Sequence, residues 1–228
     1  MILTAHQPTY LPWLGLFAKI AQADTFVLFD DVRYTPRSFE NRNKIWTSHG
    51  PMWLTVPVRH TRETIIKDVQ INNDLPWQRK HWKSIEQSYH KAVYWKNYAY
   101  YLDQYYNHRT FEKLSSLCGE LLMYFLHELN IKVEVRLASD DHYEGTKSAC
   151  IIAMCKQLGA STYIFGTLGR DYADVKTFEA AGIEVKFQDY QHPVYSQFGG
   201  AFQSHLSVID LLFHHGPKAK DILCASST

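Results

Sequence analysis

The chain is short of nearly everything that would mark an extracellular, membrane or nucleic-acid role. It has only four cysteines in 228 residues. Cys118, Cys150, Cys155 and Cys224 show neither CxxC spacing nor a dense disulfide framework, so reduced thiols are expected. No window approaches the roughly 20 apolar residues of a membrane-spanning helix. The opening MILTAHQPTYLPW has no basic segment ahead of its apolar run, and His6, Gln7, Pro8 and Pro12 interrupt that run, so a secretion signal is not expected. Excess charge is missing too. The formal net charge is +1 and the basic residues are scattered, which removes any global electrostatic case for a nucleic-acid or membrane partner. Nor do the twelve histidines fall at a recognised metal-ligand spacing, so no metal site is expected. A cytoplasmic protein acting on a small molecule is the expectation left.

What is abundant is aromatic: fifteen Tyr, twelve Phe and six Trp, enough to wall a pocket or to fill an ordinary core. Periodicity supplies the architecture. Residues 2–5 form an apolar run. Trp13, Leu16, Phe17, Ile20 and Ala21 repeat at helical spacing behind Pro12, and 25–29 is β-branched and aromatic. Strand, helix and strand in so few residues predict a βαβ unit with parallel strands. Residues 53–58 read as a strand demoted to an edge or bulge by Pro57, and 68–71 as a short one. From 76 to 130 the pattern is helical, over 77–89, 94–106 and 110–129. The α/β rhythm then returns, with strands at 132–137, 162–165 and 184–187 and helices at 146–158, 175–181 and 206–214. Gly159, Gly182 and Gly216-Pro217 are the stops. Together these predict one α/β domain over 1–228: a mainly parallel, Rossmann-like sheet with helices on both faces and a helical insertion at 76–130.

An open parallel sheet binds ligands at the carboxyl ends of its strands, and those ends carry the ionisable residues. His6 and Gln7 follow the first strand, Asp30 and Asp31 the second, and Ser139, Asp140 and Asp141 the strand at 132–137. Gly166, Arg170 and Asp171 follow the strand at 162–165, and Asp189 and His192 the last. His6, read as lying just before a helix N-terminus, suits a general base held neutral by the helix dipole, or a phosphate contact; a hydrogen-bonded strand end is the plainer reading. Asp30 and Asp31 can orient His6, hold a cation or sugar hydroxyl, or cap a turn. Arg37, Asn41 and Arg42, in a loop between strands, present guanidinium forks suited to phosphate or carboxylate, or form a solvated loop. Gly166–Asp171 would allow close backbone approach to a phosphate but lacks GxGxxG or Walker spacing.

The string His6-Gln7-Pro8-Thr9-Tyr10-Leu11-Pro12-Trp13-Leu14-Gly15 resembles the HQPxYxPWxG opening of the WbqC-like family. Three further stretches match in order: Asp30-Asp31-Val32; 37–43 followed by Trp53-Leu54-Thr55-Val56-Pro57-Val58; and the tail from Tyr195-Ser196-Gln197-Phe198 through 207–213. Gly199-Gly200 and Thr167-Leu168 depart from the pattern. The resemblance implies a role in biosynthesis of surface polysaccharides such as O-antigens, in company with enzymes that make amino sugars. A more distant likeness in layout is to nucleotidylyltransferases and pantothenate synthetases, where a His-bearing turn opens a helix that grips ATP.

These expectations combine into an enzyme, a transferase or ligase that forms an amide on the amine of a nucleotide-linked amino sugar. His6 would deprotonate the amine with Asp30 or Asp31. Arg37, Arg42 and Arg170 would hold phosphates, and Tyr10, Trp13 and Trp53 would stack on base or sugar. ATP and an acyl carrier thioester both stay open as the driving cofactor, with an acyl carrier protein as a candidate partner. An ATP-using nucleotidyl- or adenylyl-transferase and a non-catalytic sugar-nucleotide-binding protein are the alternatives.

Overall fold

A computed structural model describes residues 1–198 and 201–225; the glycines at 199 and 200 lie outside the described residues. The chain opens with the expected βαβ unit. Strand β1 (Ile2–His6), helix α1 (Leu14–Ile20) and strand β2 (Thr25–Leu28) follow in order, and β1 and β2 pair in parallel from Leu3 opposite Thr25 to His6 opposite Leu28. Two small antiparallel pairs come next: β3 (Arg42–Thr47) with β4 (Gly50–Thr55), and β5 (Val58–Arg59) with β6 (Gln70–Ile71). Helices α2 (Trp77–Tyr89), α3 (Trp95–Asp103, running into a π-helical turn at Gln104–His108) and α4 (Leu114–Glu128) precede the return to the sheet. That return is β7 (Glu134–Leu137), the single turn α5 (Ala138–Asp141), α6 (Ser148–Leu158), β8 (Thr162–Phe165), α7 (Val175–Ala180) and β9 (Glu184–Phe187). Helices α8 (Val208–His215) and α9 (Ala219–Cys224) finish the chain.

The five long-range strands form one sheet in the order β7-β2-β1-β8-β9, every pairing parallel. Alternation along the strands gives the sheet two apolar faces. Phe26 and Leu28 join the core built by α1, α2, α3, α4, α8 and α9, whereas Leu3, Val27, Tyr163 and Phe165 join Met154, Cys155 and Phe178 beneath α6 and α7. Helices therefore cover both faces, and those of 77–128 share one buried cluster with α1, α8 and α9. Gly159 ends α6 in the left-handed region at φ +71°, where a residue without Cβ is unstrained. No helix among the described residues is long and apolar enough to cross a membrane.

Three segments differ from the sequence reading. Arg42 opens a strand where a loop is predicted. The inward positions of β3 are Asn43 and Ile45, and the Asn43 amide is fully buried because it donates to Leu11 O at 2.6 Å, so the strand carries no apolar alternation. The predicted strand over 53–58 is two, split at Pro57, whose missing N–H cannot serve a ladder although its carbonyl accepts from Asn72 N. Gly216-Pro217 does end α8, but a 3₁₀ turn carries the chain directly into α9.

Candidate functional site

From β1 the chain steps through α1 to β2 and β7 on one side, while β8 and β9 lie on the other; α1 packs on one face and α7 on the opposite one. The connections thus diverge at the carboxyl ends of β1 and β8, where such sheets open a crevice. A cavity of about 660 Å³ sits there. His6 and Gln7 come to it from β1, Thr9 and Trp13 from the following loop, and Gly15, Leu16 and Lys19 from α1. Phe39 and Glu40 come from the loop before β3, Gly166 to Gly169 from the end of β8, Gln188 and Tyr190 from the end of β9, and Ile151 and Met154 from α6. The wall is held closely. Gln188 Nε2 donates to Gly15 O at 2.9 Å, and a Cβ on Gly15 would lie 2.9 Å from both Trp13 Nε1 and the Tyr190 ring.

The hydrogen bonding of His6 fixes its tautomer. Nδ1 lies 2.8 Å from Gln7 O, and a carbonyl only accepts, so Nδ1 carries the proton and Nε2 keeps a free lone pair. The ring stands edge-on to Trp13, with centroids 5.2 Å apart and planes at 70°. Burial first, and the Lys19 charge second, hold its pKa down to about 4, so it is neutral at pH 7. The sequence reading ascribed that neutrality to a helix N-terminus, but α1 begins only at Leu14. Neither Asp30 nor Asp31 orients the ring, because the Gln7 carbonyl takes its N–H.

Lys19 is 4 % exposed; its Nζ donates to Ala5 O at 2.9 Å and burial lowers its pKa to about 8. Glu40 is 2 % exposed. Its Oε2 accepts from Thr35 N at 3.0 Å, its Oε1 has no partner, and burial pushes its carboxyl up to about 7. Thr9 Oγ1 and Tyr190 OH are likewise buried without partners. Four of the residues singled out in the sequence border this cavity: His6, Gln7, Trp13 and Gly166.

The others lie elsewhere. Asp30 is buried and accepts from Ser139 N at 2.9 Å and Ser139 Oγ at 2.8 Å, tying the end of β2 to α5. Asp31 is half-buried with Oδ1 unpartnered, and burial together with the Asp30 charge raises its pKa. Tyr10 is wholly buried, its hydroxyl 2.8 Å from His81 Nδ1 and 2.5 Å from Tyr106 OH, and the Asn41 amide donates to Val56 O at 2.9 Å. Arg42 donates to the carbonyl of exposed Arg37 and sits 4.4 Å above the half-open ring of Trp53. Phe39 bridges that ring to Trp13, with centroids 5.9 and 5.5 Å apart. Arg170 lies 5.0 Å over Phe187, and Arg170, Asp171 and Asp189 are exposed outside the cavity wall. His192 donates from Nδ1 to Pro193 O at 2.9 Å and packs among Tyr190, Tyr195 and Phe202. Among the described residues no group of three or more His, Cys, Asp or Glu is placed to hold a metal ion.

Sequence reasoning passed over Lys19 and Gln188, and gave Thr9, Glu40 and Tyr190 no role of their own. Lys19 left a signal, a lone cation in the otherwise apolar helix Leu-Gly-Leu-Phe-Ala-Lys-Ile. Asp210 left the same kind of signal, a carboxylate inside Val-Ile-Asp-Leu-Leu-Phe. It is wholly buried and accepts from Tyr89 OH at 3.0 Å, Tyr195 OH at 2.9 Å and Gln197 Nε2 at 2.7 Å, pinning the segment after β9 to α8.

Fold and site together define a parallel α/β protein with an aromatic-walled cavity at its topological switch point. The chain belongs to the WbqC-like protein family, whose model matches residues 7–222. It is 33 % identical over 225 residues to the uncharacterized protein Rv1507c of Mycobacterium tuberculosis, covering 95 % of each chain. No solved structure matches it.

Proposed function

We propose that the cavity is the active site of an amide-forming transferase or ligase, acting on the amine of a nucleotide-linked amino sugar. One observation carries the reading: an imidazole at a strand's carboxyl end with Nδ1–H committed to Gln7 O and Nε2 free beside the cavity. In the reaction the amine nitrogen attacks an acyl carbonyl carbon, Nε2 takes the proton the nitrogen sheds, and the carrier departs with the electrons of the broken carbonyl–carrier bond. The volume of about 660 Å³ suits one sugar ring and a short acyl group, and Trp13, Phe39 and Tyr190 offer flat walls to their apolar faces. The cation-covered Trp53 surface beyond Phe39 would take the nucleotide.

The test is turnover of nucleotide-linked amino sugars with a panel of acyl thioesters, and with free acids plus ATP, followed by amide formation. Amide that appears with wild-type protein and collapses in His6→Asn supports the reading. Transfer of a nucleotidyl group from ATP without amide would replace it with the nucleotidyl-transferase, and tight binding without any product with the sugar-nucleotide-binding protein.

A further inference from the structure

The cavity wall has an electrical sign. Its ionisable residues are His6, Lys19, Glu40, Lys147 and three tyrosines. His6 is neutral, and burial raises the pKa of each tyrosine hydroxyl, so they are neutral as well. Glu40 is the single carboxyl and is half protonated near pH 7. Two ammonium groups therefore face a space without one full compensating negative charge. Lys147 is exposed; Lys19 is not. It is 4 % exposed, it donates to the Ala5 carbonyl, and it forms no ion pair among the described residues. A carbonyl dipole is not a counter-ion, and a buried ammonium without one is costly to the fold. In the same cavity wall Thr9 is 3 % exposed and its Oγ1 has no partner.

We infer that Lys19 is the anchor of an oxyanion site, and that the cavity's ligand enters with a carboxylate or phosphate group that supplies the counter-charge Lys19 lacks. Thr9 Oγ1, unpartnered in the same wall, would give the same group a hydroxyl donor. The inference goes beyond the acyl-transfer reading and does not require it, because it concerns what binds and not what reacts.

Thermal unfolding of the full chain tests it, with inorganic phosphate and acetate titrated against sodium chloride at matched ionic strength so that screening cancels. Wild-type protein should show a saturable rise in Tm with phosphate or acetate, and the tighter of the two assigns the ligand's anionic group. Lys19→Met, which keeps the volume and removes the charge, should weaken that response by at least roughly 30-fold, the lower end for losing one partner of a buried charge pair. Without anion the same variant should melt higher than wild type, since an uncompensated charge has been removed. If Lys19→Met does not fold, Lys19→Gln serves the same comparison, and the wild-type titration stands by itself. No saturable rise above chloride in wild type, or one that survives in the Lys19 variant, overturns the inference. A variant that melts lower with no change in anion response makes Lys19 a strut holding the Ala5 carbonyl.

Discussion

Two residues of the cavity wall have protonation states set by their immediate surroundings. The Gln7 carbonyl decides which nitrogen of His6 is free, and burial decides that Glu40 keeps its proton to about pH 7. If His6 is the general base, His6→Asn should lower kcat by roughly 10²–10⁴-fold and leave KM nearly unchanged, measured at saturating amine. The pH profile has a definite shape. The base works when neutral, and with its pKa held down to about 4 it is neutral throughout the mildly acidic range. The rate should therefore lose this limb only toward pH 4 and show no His6 inflection near 6.5. An inflection near 6.5 that disappears in His6→Asn would mean the ring is solvated in the working state. His6 was legible in the sequence because the end of a first strand is a recognisable place; its tautomer was not, since that depends on where the next carbonyl turns.

At the scale of the elements, strands and helices with clean apolar periodicity were readable, and a strand whose inward face carries an amide was not. Thr162–Phe165, Glu184–Phe187 and Trp77–Tyr89 stand as read. Strand β3 went unread because Asn43 occupies a core position. The candidate site divided in the same way: strand-end residues were found, whereas Lys19 and Glu40 meet His6 only through the packing of α1 and the loop before β3. Two junctions carry element-scale predictions. Gly15→Ala places a methyl group against Trp13 and Tyr190, and should cost roughly 1–3 kcal/mol in denaturant unfolding, the range for overpacking. Asp210→Ala strands two tyrosine hydroxyls and the Gln197 amide. It should cost roughly 3–5 kcal/mol and make the segment 192–198 the first cut by limited proteolysis. Loss of stability without early cleavage there would show that other contacts hold the segment.

For the whole molecule, three buried groups carry opposing parts of the proton balance. His6 and His81 are both lowered to about 4 by burial, so each loses stability as pH falls from 6.5 toward 4, when the unfolded chain binds protons the folded chain refuses. Glu40 acts in the opposite sense. Raised to about 7, its contribution is fully present below its unfolded value near 4.5 and is lost as pH rises through 7. Replacing it should therefore steepen the acid side: Glu40→Gln is expected to increase the slope of unfolding free energy with pH by about 1.4 kcal/mol per unit between pH 4.5 and 6.5. Urea unfolding at a series of pH values reads this, and an unchanged slope would mean that Glu40 is ionised in the folded protein. The strand order also sets a timetable for the nascent chain. Of the sheet's five strands the earliest in the chain is the middle one, and its second neighbour, β8, begins at Thr162. Until then one edge of β1 is open, and the apolar side of Leu3 and Val27 still lacks α7. Long-range parallel pairing is slow and exposes sticky intermediates, so premature termination before residue 162 should yield aggregates captured by chaperones and not a smaller folded unit.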